Sequence, residues 1–322
     1  MMLNMTRIQA TLLKSVLLTT CLVAAQLAYA KDAQVWLERA GLAAKTLNYT
    51  GTYFYHHGEH VEVLRVAHRA DGKNELNKVE VLDGPHREFI RINDEVYCHL
   101  ADGKTVRVDR NAVQRFFPSV LPDNPGRLTN HYVPKLGGNE KVAGRNCQVV
   151  ILAPRDNYRY TQMLWLDTAT ALPLKTRTVD ERGATVSMFV FSEIEIGKQP
   201  DRAVFDVRMA GKKMQAASFA RSRGHETWEM TPPPGYQTTF EVMRAMPGRK
   251  QPALHRGYSD GMSSFSLFIE PTLPNVQALE GLSTEGAINI YSRRLDGHKV
   301  TALGEVPAVT LLESANSVQR KP

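Results

Sequence analysis

The chain has 322 residues, a formal net charge of +7 and 43% hydrophobic residues, which is enough apolar material for a sizeable core and long for a single domain. Its cations are dispersed rather than clustered, which argues against a nucleic-acid partner; a mild positive excess outside the cytoplasm suits anionic lipid headgroups or an acidic protein segment. No segment reaches the roughly 20 apolar residues that a spanning helix requires.

At the N-terminus, Arg7 and Lys14 precede the uncharged run from Ser15 to Ala28, and Ala28-Tyr29-Ala30 precedes the charged Lys31. This predicts a secretory signal peptide over residues 1–30, cleaved after Ala30. Cys21 raises the alternative of a lipoprotein signal, but Thr20 stands where a small residue is wanted. Cleavage removes two cations and lowers the net charge to +5. Residues 33–47 place Trp36, Ala40, Ala43 and Leu47 on one face of a helix. From Asn48 the texture becomes short alternating runs, with turn signals at Gly58-Glu59, Asp71-Gly72, Asp83-Gly84-Pro85, Asn93-Asp94 and Asp102-Gly103, the signature of an antiparallel sheet. The run Asn111 to Pro125 breaks that pattern and predicts a short helix closed by Pro118 or Pro122. Strands then resume to about Ile196. The predicted domains are a large one over 31–200, a charged linker over 201–225 and a smaller β-rich unit over 226–322. The small unit ends in a helix with Pro307 near its start and Ala308, Leu311, Leu312 and Ala315 on one stripe.

Two stretches invite a catalytic or metal reading. Gly257-Tyr258-Ser259-Asp260-Gly261 fits G-x-S-x-G, yet a nucleophile elbow needs a strand-turn-helix in a mostly parallel sheet, and neither flank supplies it. A hairpin turn is the better reading. In HHGEH, His56 and His57 are adjacent on a strand and point to opposite faces, so a polar turn is favoured over a zinc site with His60 and Glu59. No H-E-x-x-H, P-loop or dinucleotide fingerprint occurs. The sequence predicts no catalytic residue, no metal and no cofactor.

Two late strands of the large domain are apolar on both faces. Tyr160, Leu164 and Leu166 oppose Met163 and Trp165, while Val186, Met188 and Val190 oppose Phe189 and Phe191. An antiparallel sheet with one wet face alternates instead. This predicts a curved sheet around an apolar hollow, with loops and the second domain as the alternative cover. Tyr160, Met163, Trp165, Phe189 and Phe191 are the expected acyl-chain contacts, with the face of the hollow left open. Arg87 and Arg91 flank Phe89 on one strand face and suit an anionic headgroup or acidic peptide. Cys98 and Cys147 survive processing and are either a disulfide or two buried thiols.

The runs KVEVLDGPHREFIRINDEVYC and RNCQVVILAPRDNYRYTQMLWLDTATALPLKT, followed by TPPPGYQ and GYSDGMSSFSLFIE, resemble the MucB/RseB family of periplasmic sigma-E regulators. The combination of D-G-P-x-R-E, L-W-L-D-x-x-T-x-L-P-L and Y-S-D-G-x-x-x-F-S spans most of the mature chain in order. The resemblance implies an α+β protein with a large LolA/LolB-like half-open antiparallel β-barrel with helices and a smaller C-terminal α+β domain. It further implies a periplasmic regulator that binds the periplasmic domain of a MucA/RseA-like anti-sigma factor, shields it from site-1 proteolysis, and is released by lipopolysaccharide or another acylated lipid. Tyr258, Asp260 and Phe265 in the small domain are the expected partner contacts, through strand addition and an aromatic presented at a turn. A LolA-type lipid carrier is the competing expectation, and a homodimer is left open.

Overall fold

Helix α1 (residues 31–46) opens the part of the chain described by the computed structural model, which comprises residues 31–321 except 73, 94, 101–104, 109–116, 207–214, 217–219, 222–226, 247–250 and 273–279. The expected signal peptide lies outside the described residues. In α1 the buried positions are Ala33, Leu37, Ala40, Ala43 and Ala44, so the inward stripe keeps the expected step of three and four but is rotated onto Leu37. Trp36 sits at its margin, under the Arg39 guanidinium at 4.7 Å. Small alanines let the backbone of α1 approach the sheet closely.

Eleven strands follow: β1 (Tyr49–His57), β2 (His60–Ala70), β3 (Glu75–Val81), β4 (Arg87–Ile92), β5 (Glu95–Leu100), β6 (Thr105–Val108), β7 (Tyr132–Val142), β8 (Arg145–Pro154), β9 (Thr161–Asp167), β10 (Pro173–Val179) and β11 (Thr185–Ile196). With the two-residue β12 (Gln215–Ala216) they form one sheet in the order β12-β6-β5-β4-β3-β2-β1-β11-β10-β9-β8-β7. All pairings are antiparallel except β12 with β6. The sheet does not close, since β7 and β12 end the order. Within Asn111–Pro125 the described residues 117–124 contain no helix. Residues 111–116 of the expected helix lie outside the described residues. A 3-10 segment Pro125–Asn130 follows with Pro125 at its start, where the ring's fixed φ favours a first helical turn and its missing N–H costs nothing.

The side-chain faces follow from register, because residues directly opposite on neighbouring strands share a face. Tyr53 pairs with Leu64 and Phe191, Tyr55 with Phe189, Leu64 with Val81, and Phe189 through Thr176 with Leu164. This is the inner face. Ala43 and Ala44 of α1 join Tyr49, Tyr53, Leu64, Val66, Val79, Val81 and Phe191 in one core cluster. Ala33, Leu37 and Ala40 join Val150, Leu152, Leu164 and Leu166 in another. The opposite face is covered in part by the 3-10 turn Arg202–Phe205, whose Phe205 is buried against Ala67 and Leu76.

The second domain carries β13 (Ala220–Arg221), β14 (Trp228–Glu229), β15 (Gln237–Arg244), β16 (Ala253–Ser259), β17 (Ser264–Pro271), β18 (Gly281–Glu285), β19 (Ile288–Leu295) and β20 (His298–Gly304), then helix α2 (Ala308–Asn316) and β21 (Gln319–Arg320). Seven of these strands form a sheet in the order β13-β15-β16-β17-β20-β19-β18, and β14 pairs with β21. Helix α2 starts after Pro307 as expected, but buries Thr310, Leu311, Ser314 and Ala315 rather than Ala308 and Leu312. The two hydroxyls make that possible: Ser314 donates to Thr310 O at 2.6 Å and Thr310 donates to Tyr158 O at 2.6 Å.

Candidate functional site: the inner sheet face and the domain junction

The inner face carries a cluster of five aromatic rings. Phe117 is 1% exposed and lies with its ring centroid 5.1 Å from Tyr53, 5.4 Å from Phe189 and 5.0 Å from Phe191. Tyr55 stacks on Phe189 at 4.2 Å. Register therefore divides the five expected acyl contacts. Phe189 and Phe191 belong to this cluster, whereas Met163 and Trp165 pair with Ile151 and Val149 on one side and with Arg177 and Lys175 on the other. They face outward. Trp165 is buried there beneath the Lys175 ammonium, 4.2 Å from its ring, and donates its indole N–H to Glu140 at 2.7 Å. Tyr160 lies on neither face; its hydroxyl accepts from Asn289 of the small domain at 3.1 Å.

Arg87 and Arg91 share the inner face with Phe89, as their pairing with Val81, Asn77 and Val79 requires. Both meet carboxylates of the same sheet: Arg87 donates to Glu62 at 3.1 Å, and Arg91 donates to Glu75. Glu75 also approaches His68 Nε2 at 3.3 Å. Burial lowers the His68 pKa to about 4, against the bond to Leu47 O. Cys98 and Cys147 are both free and buried. They lie on β5 and β8, towards opposite ends of the strand order, and burial raises both thiol pKa values. The bridged alternative is thus replaced by two inert thiols. Around HHGEH, His57 stacks on Tyr55 at 4.6 Å and lies 5.6 Å from His60 in the β1–β2 hairpin.

The small-domain triplet is occupied within the chain. Tyr258 and Phe265, 1% and 2% exposed, stack on each other at 4.9 Å in the domain core, so they present no aromatic at a turn. Ser259 and Asp260 build the β16–β17 turn: Ser259 Oγ accepts from Gly261 N and donates to Ser263 O, and Asp260 Oδ1 accepts from the N–H groups of Met262 and Ser263. The G-x-S-x-G match is a capped turn.

The other oxygen of Asp260 reaches the large domain. Its Oδ2 accepts from Arg159 Nη1 at 2.9 Å and from the Tyr132 hydroxyl at 2.8 Å. Arg159 Nε donates to Asp156 at 2.9 Å and its Nη2 to Pro234 O at 2.6 Å. The rings of Tyr132 and Tyr236 flank the guanidinium at 5.7 and 5.1 Å. Burial opposes the Arg159 charge, but Asp156 and Asp260 outweigh it and hold its pKa above the ordinary value. Burial, then the Asp260 charge, pushes the Tyr132 hydroxyl well above its usual range. In sequence, Arg159 sits unmarked within the run PRDNYRY. Three charges and two tyrosines ahead of an apolar strand were the available signal.

A two-domain α+β protein with a half-open antiparallel sheet, an aromatic inner face and a polar domain junction is thereby defined. Residues 32–215 match the MucB/RseB N-terminal domain and residues 222–319 match the MucB/RseB C-terminal domain. The chain belongs to the MucB/RseB family. The sigma factor AlgU regulatory protein MucB of Pseudomonas aeruginosa is 31% identical over 311 residues, covering 94% of this chain and 96% of that protein. The complex structure of Pseudomonas aeruginosa MucA/MucB aligns at a TM-score of 0.73 with 27% identity, covering 90% of this chain and 99% of that one. A crystal structure of MucB aligns at 0.68 with 27% identity, covering 90% and 98%.

Proposed function

We propose that this protein is a periplasmic regulator that binds the periplasmic domain of a membrane-spanning MucA/RseA-like anti-sigma factor, protects it from site-1 proteolysis, and releases it when lipopolysaccharide or a related acylated lipid binds. One observation carries the reading: both domains align, over 90% of the chain, with a MucB structure determined with MucA. The aromatic inner face supports the lipid half, because Phe189, Phe191, Tyr53 and Tyr55 form a contiguous apolar patch, now covered by the buried Phe117, that an acyl chain would fill by displacing that ring. Arg87, at the Leu64–Val81 end of that face, is the proposed headgroup contact, reached by exchanging Glu62 for a lipid phosphate. The protein performs no chemistry in this scheme; its output is the exposure of a partner to a protease.

The test is capture of the cognate anti-sigma periplasmic domain by the mature protein, with and without lipopolysaccharide. Capture that lipid weakens is the expected result. Failure to capture under both conditions, with lipid still retained, overturns the regulator in favour of a carrier.

A further inference from the structure

Arg159 and Asp260 belong to different domains and their side chains are both 0% exposed. A charge pair taken out of water is tolerated only when further bonds satisfy its remaining polar atoms. Here Nε, Nη1 and Nη2 of Arg159 all donate, and both oxygens of Asp260 accept. More polar bonds surround the pair. Tyr158 O accepts from the hydroxyls of Tyr236 and Thr310, the Tyr158 hydroxyl donates to Glu313, and Asn289 donates to the Tyr160 hydroxyl. At the far end of the junction the Glu305 carboxylate accepts from Tyr55 at 2.7 Å and Ser187 at 2.9 Å. Beyond Glu305 the two domains touch backbone to backbone, at Gly58 of the β1–β2 turn and Gly286 of the β18–β19 turn.

Such a junction behaves differently from an apolar core. These polar groups regain water when the domains part, and the hydrocarbon newly exposed is confined to a few contacts, such as Met262 against the Leu121 and Leu128 cluster and Tyr158 against the small-domain core. Losing one partner while the junction stays closed leaves a buried charge alone, which is strongly disfavoured. Cheap opening and strict closed geometry are the properties of a latch.

We infer that the Arg159–Asp260 pair, with its tyrosine clamp and the Gly58–Gly286 contact, is an inter-domain latch that selects the arrangement in which the anti-sigma segment is held. The inference rests on the proposed function and adds the residues through which release operates. Opening the latch separates the domains and lowers partner affinity without touching the partner's own contacts.

Two variants open it by unrelated means. Arg159→Met removes the cation. Gly58→Ala drives a wedge, since a Cβ there meets Gly286 Cα at 2.5 Å and C at 2.9 Å, both backbone. The control is Gly72→Ala, in another hairpin turn of the same sheet, also at positive φ and with nothing within 4 Å. It carries the backbone strain without the wedge. The mature protein and each variant are measured by small-angle scattering and by titration with the periplasmic domain of the anti-sigma factor. Expected are a larger radius of gyration and at least tenfold weaker binding for Arg159→Met and Gly58→Ala, and neither change for Gly72→Ala. Expansion with wild-type affinity, or unchanged dimensions in both variants, overturns the latch. A wild type that captures no anti-sigma segment sinks the function reading instead, and the scattering arm then decides the latch alone.

Discussion

Asp167 explains a sequence motif through its bonds. Its carboxylate is nearly buried and accepts from Arg145 Nε at 2.9 Å, Arg145 Nη2 at 3.2 Å, Thr170 N at 2.9 Å and Thr170 Oγ1 at 2.7 Å. The L-W-L-D-x-x-T run is therefore a stapled β9–β10 turn. Burial alone raises the Asp167 pKa, yet the bonds from Arg145 and Thr170 outweigh it and the net shift is downward. Its stabilising contribution is therefore present at neutral pH and is lost as pH falls through the lowered value. Asp167→Ala is expected to cost about 2 kcal/mol in urea denaturation at pH 7, the order expected for losing hydrogen bonds to a charged group. His255 gives a pH dependence of the same sign in a higher pH window. Its ring stacks on Phe268 at 4.0 Å, meets Phe240 edge-on at 4.8 Å and bonds Ser266 Oγ at 2.9 Å. Burial, then the Arg244 charge, lowers its pKa from 6.5 to about 4. The unfolded chain then binds the extra proton between those two values, so stability falls as pH drops from about 6.5 towards 4. The full loss is on the order of 3 kcal/mol. His255→Phe keeps the ring contacts and is expected to flatten that decline; an unchanged pH profile would remove His255 from the account.

At the scale of elements, hairpins were the most legible feature, because Gly, Asn and Asp mark turns by their backbone freedom and stand between alternating runs. The turns at Gly58, Gly72, Gly84 and Asn93 all adopt positive φ. Asp102-Gly103 lies outside the described residues. The side of the sheet was not legible. Residues of β9 and β11 meet only through β10, where Lys175 and Arg177 alternate with Thr176 and Thr178, so hydropathy marks neither face. Register settles it, and the settled faces make different predictions for lipid binding. Phe189→Ala is expected to weaken lipopolysaccharide retention about tenfold or more, whereas Met163→Ala on the outer face leaves it unchanged. Equal losses in a co-sedimentation assay would place the ligand elsewhere. The α1 stripe was legible in period but not in phase, since five inward alanines and leucines differ little in hydropathy from Trp36 and Leu47 beside them. The domain junction was the least legible element. Its bonds join residues about a hundred positions apart, such as Arg159 with Asp260, and nothing local in either stretch names the other.

For the whole molecule, the proposed switch is a thermodynamic coupling between two ligands, and coupling has a consequence that neither domain shows alone. If lipid prefers an open junction and the anti-sigma segment a closed one, each must lower the other's affinity by the same factor. A coupling of about 2 to 3 kcal/mol corresponds to roughly 30- to 150-fold, enough to empty one site when the other fills. The polar junction is consistent with a coupling of that size: the closed state is held by exchangeable hydrogen bonds and ion pairs, so differential binding shifts the balance. Titrating the partner at rising lipid, and lipid at rising partner, should give two displacement factors that agree. A variant with the junction already open loses the differential. In Arg159→Met, lipid should bind at least as tightly as in the wild type, the partner more weakly, and the mutual displacement factor should fall towards one. Full displacement persisting in that variant would mean the two ligands compete for one surface, with no domain movement between them.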